Sequence, residues 1–419
     1  MKKILTLTAL GTILLAANAQ ASGFLLREQS PSAMGNAFAG ATAGAEDISY
    51  SFYNPAGLSR HKGTQISAGA TAIIGNGKGR NATATFPTGS EHQAVMDHVV
   101  DKAVLPSVFV SQQLSENVTA ALSLNSPFGL ITDYSDNWAG ANHGTLSDVT
   151  TYTLTPMLAY KVNPEFSVGG GIVVEYIRAT LGSRVGVPGM LTAQSKMKGD
   201  TTDVGYVIGG LYEFTPGTRV GVSYRSEIKH KLKGDIEFYQ GSVTAINPLA
   251  VDQKIGARLT TPALLTMGIY HDINDRWSVM AEAQKTYWSS FDKLDIAGDK
   301  GLFSHTHEGW KDVWFYAVGT SYKVNDNWKL KFGLAFDQNP TNNLTRTPRV
   351  PDSDRIWYST GVEYKYDENL AFNLGYTYIR GENVQVKLKD PGFAEGRGDL
   401  QAKYQADIHL IGLSANYSF

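Results

Sequence analysis

Apolar and polar residues alternate at the chain's end. Ile411, Leu413, Ala415, Tyr417 and Phe419 fall on one side, and Gly412, Ser414, Asn416 and Ser418 on the other. A strand with lipid outside and a polar lumen inside requires this pattern. The closing strand of a soluble sandwich could share it, so the rest of the chain must decide. Trp328, Leu330, Phe332, Leu334 and Phe336 alternate in the same way with Lys329, Lys331, Gly333 and Ala335, which predicts lysines facing the lumen.

Six short polar turns punctuate such segments: 115–117, 163–165, 215–217, 274–276, 325–327 and 367–369. Tyr160-Lys161-Val162-Asn163 is nearly repeated as Tyr322-Lys323-Val324-Asn325, and Trp277 and Trp328 follow two of the turns as an interfacial girdle would. Between turns lie longer Gly-, Asn- and charge-rich stretches, at 130–147, 185–200, 234–257, 295–309, 338–353 and 381–402, which read as extracellular loops. Short turns alternating with long loops predict an all-β transmembrane antiparallel barrel of about 14 strands, covering residues 64–419.

At the other end, Lys2-Lys3, an apolar run from Ile4 to Ala17 and Ala19-Gln20-Ala21 read as a signal peptide over 1–21. No later run is long enough for a membrane-spanning helix. The expected location is the outer membrane of a Gram-negative bacterium. Residues 22–63 lack strand alternation, but Phe24, Leu25, Leu26, Phe38, Ile48, Tyr50, Phe52 and Tyr53 make them too apolar for a disordered leader. They predict an N-terminal plug, or hatch, in the lumen.

Composition narrows the chemistry. Cysteine is absent and the formal net charge is −2, which offers no footprint for nucleic acid. No Gly-x-Ser-x-Gly elbow marks a hydrolase. His305 and His307 lack further ligands at metal-site spacing, so neither a metal nor a cofactor is expected. A barrel hydrolase and a general porin remain as rivals; the plug argues against an open pore.

Gly23-Phe24-Leu25-Leu26 opens the plug and Asn54-Pro55-Ala56 closes it. With these residues, and with Tyr224-Arg225-Ser226-Glu227, His307-Glu308-Gly309-Trp310-Lys311-Asp312, Asp326-Asn327-Trp328 and Pro351-Asp352-Ser353-Asp354-Arg355 in the same order, the chain resembles the FadL/TodX family of outer-membrane transporters. The resemblance implies diffusion-driven uptake of hydrophobic compounds, long-chain fatty acids or aromatic hydrocarbons. Cargo would be captured by extracellular loops, held in a lumenal pocket and released sideways through the wall. It implies that Lys311 and Phe24 touch the ligand, with Arg184 or Arg178 as a further cation; Ser126 is expected both to touch the ligand and to form part of the exit. The expected partners are the cargo, outer-membrane lipid and lipopolysaccharide, and the barrel-assembly machinery, with the protein a monomer.

The third strand offers a site for the exit. Val118, Ala120, Leu122 and Leu124 alternate outward until Asn125-Ser126-Pro127-Phe128-Gly129. Proline cannot donate to a ladder and glycine tolerates a bulge. The same residues would also suit the barrel rim, where pairing ends in any case.

Overall fold

The computed structural model describes residues 22–96, 102–390 and 396–419; the expected leader lies outside them. Fourteen strands form one closed antiparallel sheet among the described residues. In chain order they are Thr64–Phe86, Lys102–Gln113, Val118–Asn125 continued by Gly129–Asp133, Leu146–Lys161, Phe166–Val187, Leu191–Thr215, and Thr218–Arg225 continued by Ile228–Tyr239. The eighth is Gln253–Thr261 continued by Leu264–Asp272, followed by Trp277–Thr286, Val313–Lys323, Trp328–Asp337, Arg355–Lys365, Leu370–Gly381 and Asp399–Ser418. The first strand pairs with the second and with the last, and the latter contact closes the cylinder.

All six short turns fall between strands as expected. Four share one device, in which an Asx side chain accepts from two following amides and so fixes the reversal. Asn163 takes the amides of Glu165 and Phe166 at 3.0 and 2.7 Å, and Asn274, Asn325 and Asp367 repeat the arrangement. Leu334, Leu413 and Phe419 are exposed on the outer face, while Lys331 is buried inside. The strands run farther than the loop-like composition suggested. Within 185–200 the fifth and sixth strands stay paired up to Val187↔Leu191, and 234–257, 295–309 and 381–402 also contain strand. Beyond the bilayer the outward positions need no apolar side chains, so the alternation disappears although the ladder continues.

Residues 22–63 fill the lumen with short turns of helix at Pro31–Met34, Ala41–Gly44, Ile48–Phe52 and Pro55–Arg60. Ser30, Asp47 and Asn54 cap three of them through side-chain oxygens. Met34, Phe38, Ile48 and Phe52 share a core with the wall residues Phe315 and Trp357. Burying Lys331 and Glu46 costs desolvation, which is offset by pairing: Lys331 Nζ lies 2.6 Å from Glu46 Oε2 and donates to Ser32 Oγ at 3.0 Å. Where hatch backbone meets wall backbone the wall has glycine. A Cβ at Gly169 would lie 2.6 Å from the Ala56 nitrogen, and one at Gly333 would collide with the Asn36 carbonyl carbon. Asn36 Nδ2 in turn donates to the Thr320 and Phe332 carbonyls at 2.8 and 3.2 Å.

Candidate functional site

The third strand is interrupted inside the wall. Asn125 pairs with Thr153 and Gly129 with Thr150, so residues 126–128 face only 151–152, an extra residue that bulges the strand. On its other side the second strand pairs with the third only from Val108 onward. Among the described residues, no register pair joins 103–107 to 129–132. Thus the ladder is open in one place between the second and third strands.

The hatch closes that place from within. Leu26 N–H donates to the Pro127 carbonyl at 2.7 Å and Gly129 N–H to the Phe24 carbonyl at 2.9 Å. Gln29 completes the clamp: its Nε2 donates to the Ser126 carbonyl at 2.8 Å and its Oε1 accepts from the Ser126 amide at 3.1 Å. Ser126 Oγ donates to the Thr151 carbonyl at 2.7 Å. Backbone groups that would be costly in an apolar wall are therefore satisfied. The Asn125 side chain is the exception, buried with neither amide atom hydrogen-bonded among the described residues.

Phe24 faces both the clamp and a cavity. Its ring meets Trp288, Phe291, Trp310 and Phe128 at centroid distances of 4.6, 5.7, 5.8 and 5.9 Å. Beside it lies a narrow, mainly apolar cavity of about 80 Å³ lined by Leu130, Val149, Leu232, Leu259 and Ile296, with Ser147, Lys198, Lys233, Glu308 and Arg349 as its polar residues. Glu308 Oε2 accepts from Trp310 Nε1 at 3.1 Å, and burial pushes its carboxyl up to about 7. Arg349 donates to the Leu146 and Gly182 carbonyls at 2.7 and 3.0 Å; burial, with nearby Arg397, lowers its pKa to about 10, which still leaves it cationic at neutral pH. The lining, apolar with a few polar groups at one place, suits an apolar molecule with one polar end, which would have to push side chains such as Phe24 aside to enter.

Of the expected ligand residues, Phe24 lines this cavity and Ser126 stands at the clamp, whereas the three cations lie elsewhere. Lys311 is exposed and outside the lining. Arg178 follows Ile172, Val174 and Tyr176 on the outer face, where its Nη2 lies 3.9 Å from Asp148. Arg184 is buried in the loops, paired with Glu91 at 2.5 Å and bonded to Asn142 at 2.6 Å. Residues 178 and 184 are six apart in a strand of regular register and so share one face, which at Arg178 is the outer one. Sequence reasoning missed Glu308 and Arg349: the first sits in a quoted segment, and the second is an unremarkable loop arginine that nothing local distinguishes. Asn54 links the hatch to the wall, donating from Nδ2 to Thr42 O at 2.8 Å and to Gly210 O at 3.0 Å, and capping Ala56 of its own motif behind Pro55. Among the described residues no cluster is suited to a metal ion.

Residues 12–419 match the family described as outer membrane protein transport protein (OMPP1/FadL/TodX). The chain belongs to this family. Members resembling it include the long-chain fatty acid transport protein of Escherichia coli O157:H7, 28% identical over 98% of this chain and 97% of the relative. Outer membrane protein P1 of Haemophilus influenzae is also 28% identical, over 99% of both chains. A Pseudomonas aeruginosa FadL homologue of known structure superposes with a TM-score of 0.89 at 26% identity, covering 95% of this chain and 100% of that one. The Ralstonia pickettii toluene transporter TbuX, at 17% identity and a TM-score of 0.69 over 94% and 99% of the two chains, shares the fold. As a member of the FadL/TodX family the protein is an outer-membrane transporter of hydrophobic compounds and not an enzyme.

Proposed function

We propose that this transporter takes up long-chain fatty acids, holding the chain against Phe24 with the carboxylate toward Arg349, and releases them sideways at Asn125–Gly129. One observation carries the reading: Phe24 both lines the cavity and supplies the carbonyl that clamps Gly129. Cargo that displaces the Phe24 ring would strain the clamp, so occupancy of the pocket and opening of the wall are coupled through one residue. The family likeness supports a single-chain barrel inserted by the assembly machinery. Lys311 and Arg184 are not among the residues that line the cavity in the closed arrangement.

Aromatic hydrocarbons are the second reading, favoured by the ring-lined wall and the fold shared with a toluene transporter. Equilibrium binding of oleate, hexadecane and toluene to purified protein, paired with uptake by cells that depend on it, separates them. Oleate bound at least tenfold more tightly than hexadecane supports the carboxylate partner, a difference of about 1.4 kcal/mol. Replacing Pro127 and Gly129 with valine should retain binding and abolish uptake. Normal uptake by that variant rejects the lateral exit.

A further inference from the structure

One sector of the outer face carries several cations above its apolar band. On the sixth strand the exposed outward positions Phe214, Tyr212, Ile208, Tyr206 and Val204 are apolar or aromatic. Ten residues at roughly 3.3 Å each, tilted by about 40°, span about 25 Å, the height of the apolar band in such barrels. The exposed positions beyond are Thr202, Asp200, which lies opposite Lys233 in the register, Lys198 and Lys196. On the seventh strand Val222 and Tyr224 give way to exposed Lys229, Lys231 and Lys233; on the eighth, Met267 and Ile269 give way to Arg258 and Lys254. The cations therefore begin at the headgroup level of the outer leaflet. On the eleventh strand the outward positions from Trp328 to Phe336 carry no charge.

Lys231 lies directly opposite Arg258 in the register. Like charges so placed destabilise a ladder unless something neutralises them. Lys229 has Glu227 at 3.0 Å and Lys254 has Asp235 at 2.6 Å. Among the described residues Lys231, Lys233 and Arg258 make no ion pair. The wall beside them is also open: the sixth and seventh strands pair at Asp200↔Lys233 and again at Val207↔Arg225, and no register pair joins 201–205 to 227–232. Acyl chains cannot satisfy backbone groups left there, whereas anionic oxygens and their water can.

We propose that the outer face of the sixth to eighth strands binds a phosphorylated glycolipid of the outer leaflet. Lys231 and Arg258 share one phosphate, Lys233 lies alongside, and the acyl chains run down Val204, Tyr206, Val222 and Tyr224. The apolar column below the unpaired cations selects a lipid over free phosphate.

Native mass spectrometry of the full-length protein in detergent tests this with bisphosphorylated lipid A, dephosphorylated lipid A and inorganic phosphate as probes. The Lys231→Ala/Arg258→Ala variant should retain lipid A about tenfold less than wild type, through loss of charge-assisted bonds. Dephosphorylated lipid A should bind wild type as weakly as lipid A binds the variant. Lys254→Ala, whose charge is already paired, should change nothing. Heat-modifiability and oleate binding should be unaltered, showing an intact barrel; if the double variant fails to fold, Lys231→Gln and Arg258→Gln singly replace it with the same expected direction. Equal retention by wild type and variant, equal loss in Lys254→Ala, or displacement of lipid A by equimolar inorganic phosphate overturns the proposal.

Discussion

The amide of Leu26 donates to the carbonyl of Pro127 at 2.7 Å, so the first turn of the hatch serves as the neighbour that the broken third strand lacks. Proline supplies the break and still presents the carbonyl that the hatch uses.

Gln29→Ala should loosen this clamp. It removes two hydrogen bonds and leaves the Ser126 amide and carbonyl buried without those partners, a cost of about 1–3 kcal/mol for each unsatisfied group. Hydrogen exchange measured by mass spectrometry should quicken at residues 126–129 and leave the twelfth and thirteenth strands unchanged. Unaltered protection at 126–129 would show that the wall holds itself.

Cargo affinity should depend on pH through Glu308. Burial raises its carboxyl to about 7, so the group is neutral below that pH and anionic above it. A fatty acid carboxylate near Arg349 then meets a second negative charge as pH rises, and oleate affinity should fall between about pH 6 and 8. Glu308→Gln stays neutral and should flatten the profile. Titration calorimetry of both proteins at pH 6 and 8 checks this; an identical slope in the variant would assign the dependence elsewhere.

Arg349 and Lys311 make opposite predictions. Arg349→Lys keeps a cation but loses the fork that reaches Leu146 O and Gly182 O, and oleate binding should weaken about fivefold to tenfold with hexadecane spared. Lys311→Ala should leave both ligands within twofold, because its side chain is exposed. A large oleate-specific loss from Lys311→Ala would show that the loops rearrange around cargo.

Gly333→Val should unseat the hatch without breaking the barrel, since the new side chain would occupy the place of Asn36 backbone. Planar-bilayer recordings should show a conducting pore where wild type is nearly silent. A silent, heat-modifiable variant would mean that the hatch has room to shift.

The barrel could be read from sequence because lipid and lumen impose a period of two on every crossing strand, as Leu330 to Phe336 and Ile411 to Phe419 display. Turn positions were equally plain, since Asn163, Asn274, Asn325 and Asp367 act within three residues of themselves. The site was less legible. Glu308 and Arg349 come to one cavity from separate loops, and no local pattern encodes that meeting. The seat of the hatch left a fainter trace: Gly169 and Gly333 interrupt otherwise good strands, which marks close backbone approach without saying what approaches. Arg178 and Arg184 show the limit of parity, which gives a shared face but not which face.

The pairing of the first and last strands bears on the order of events during biogenesis. The last strand joins the first from Gln65↔Ser418 to Thr85↔Asp399, and Phe419 N–H donates to the Thr64 carbonyl at 2.9 Å, one residue from the end of the hatch. The expected order is that the hatch, joined to the first strand, lies inside before the last strand zips shut around it. Chains arrested before Asp399 should leave the hatch open to protease, and completed chains should protect it.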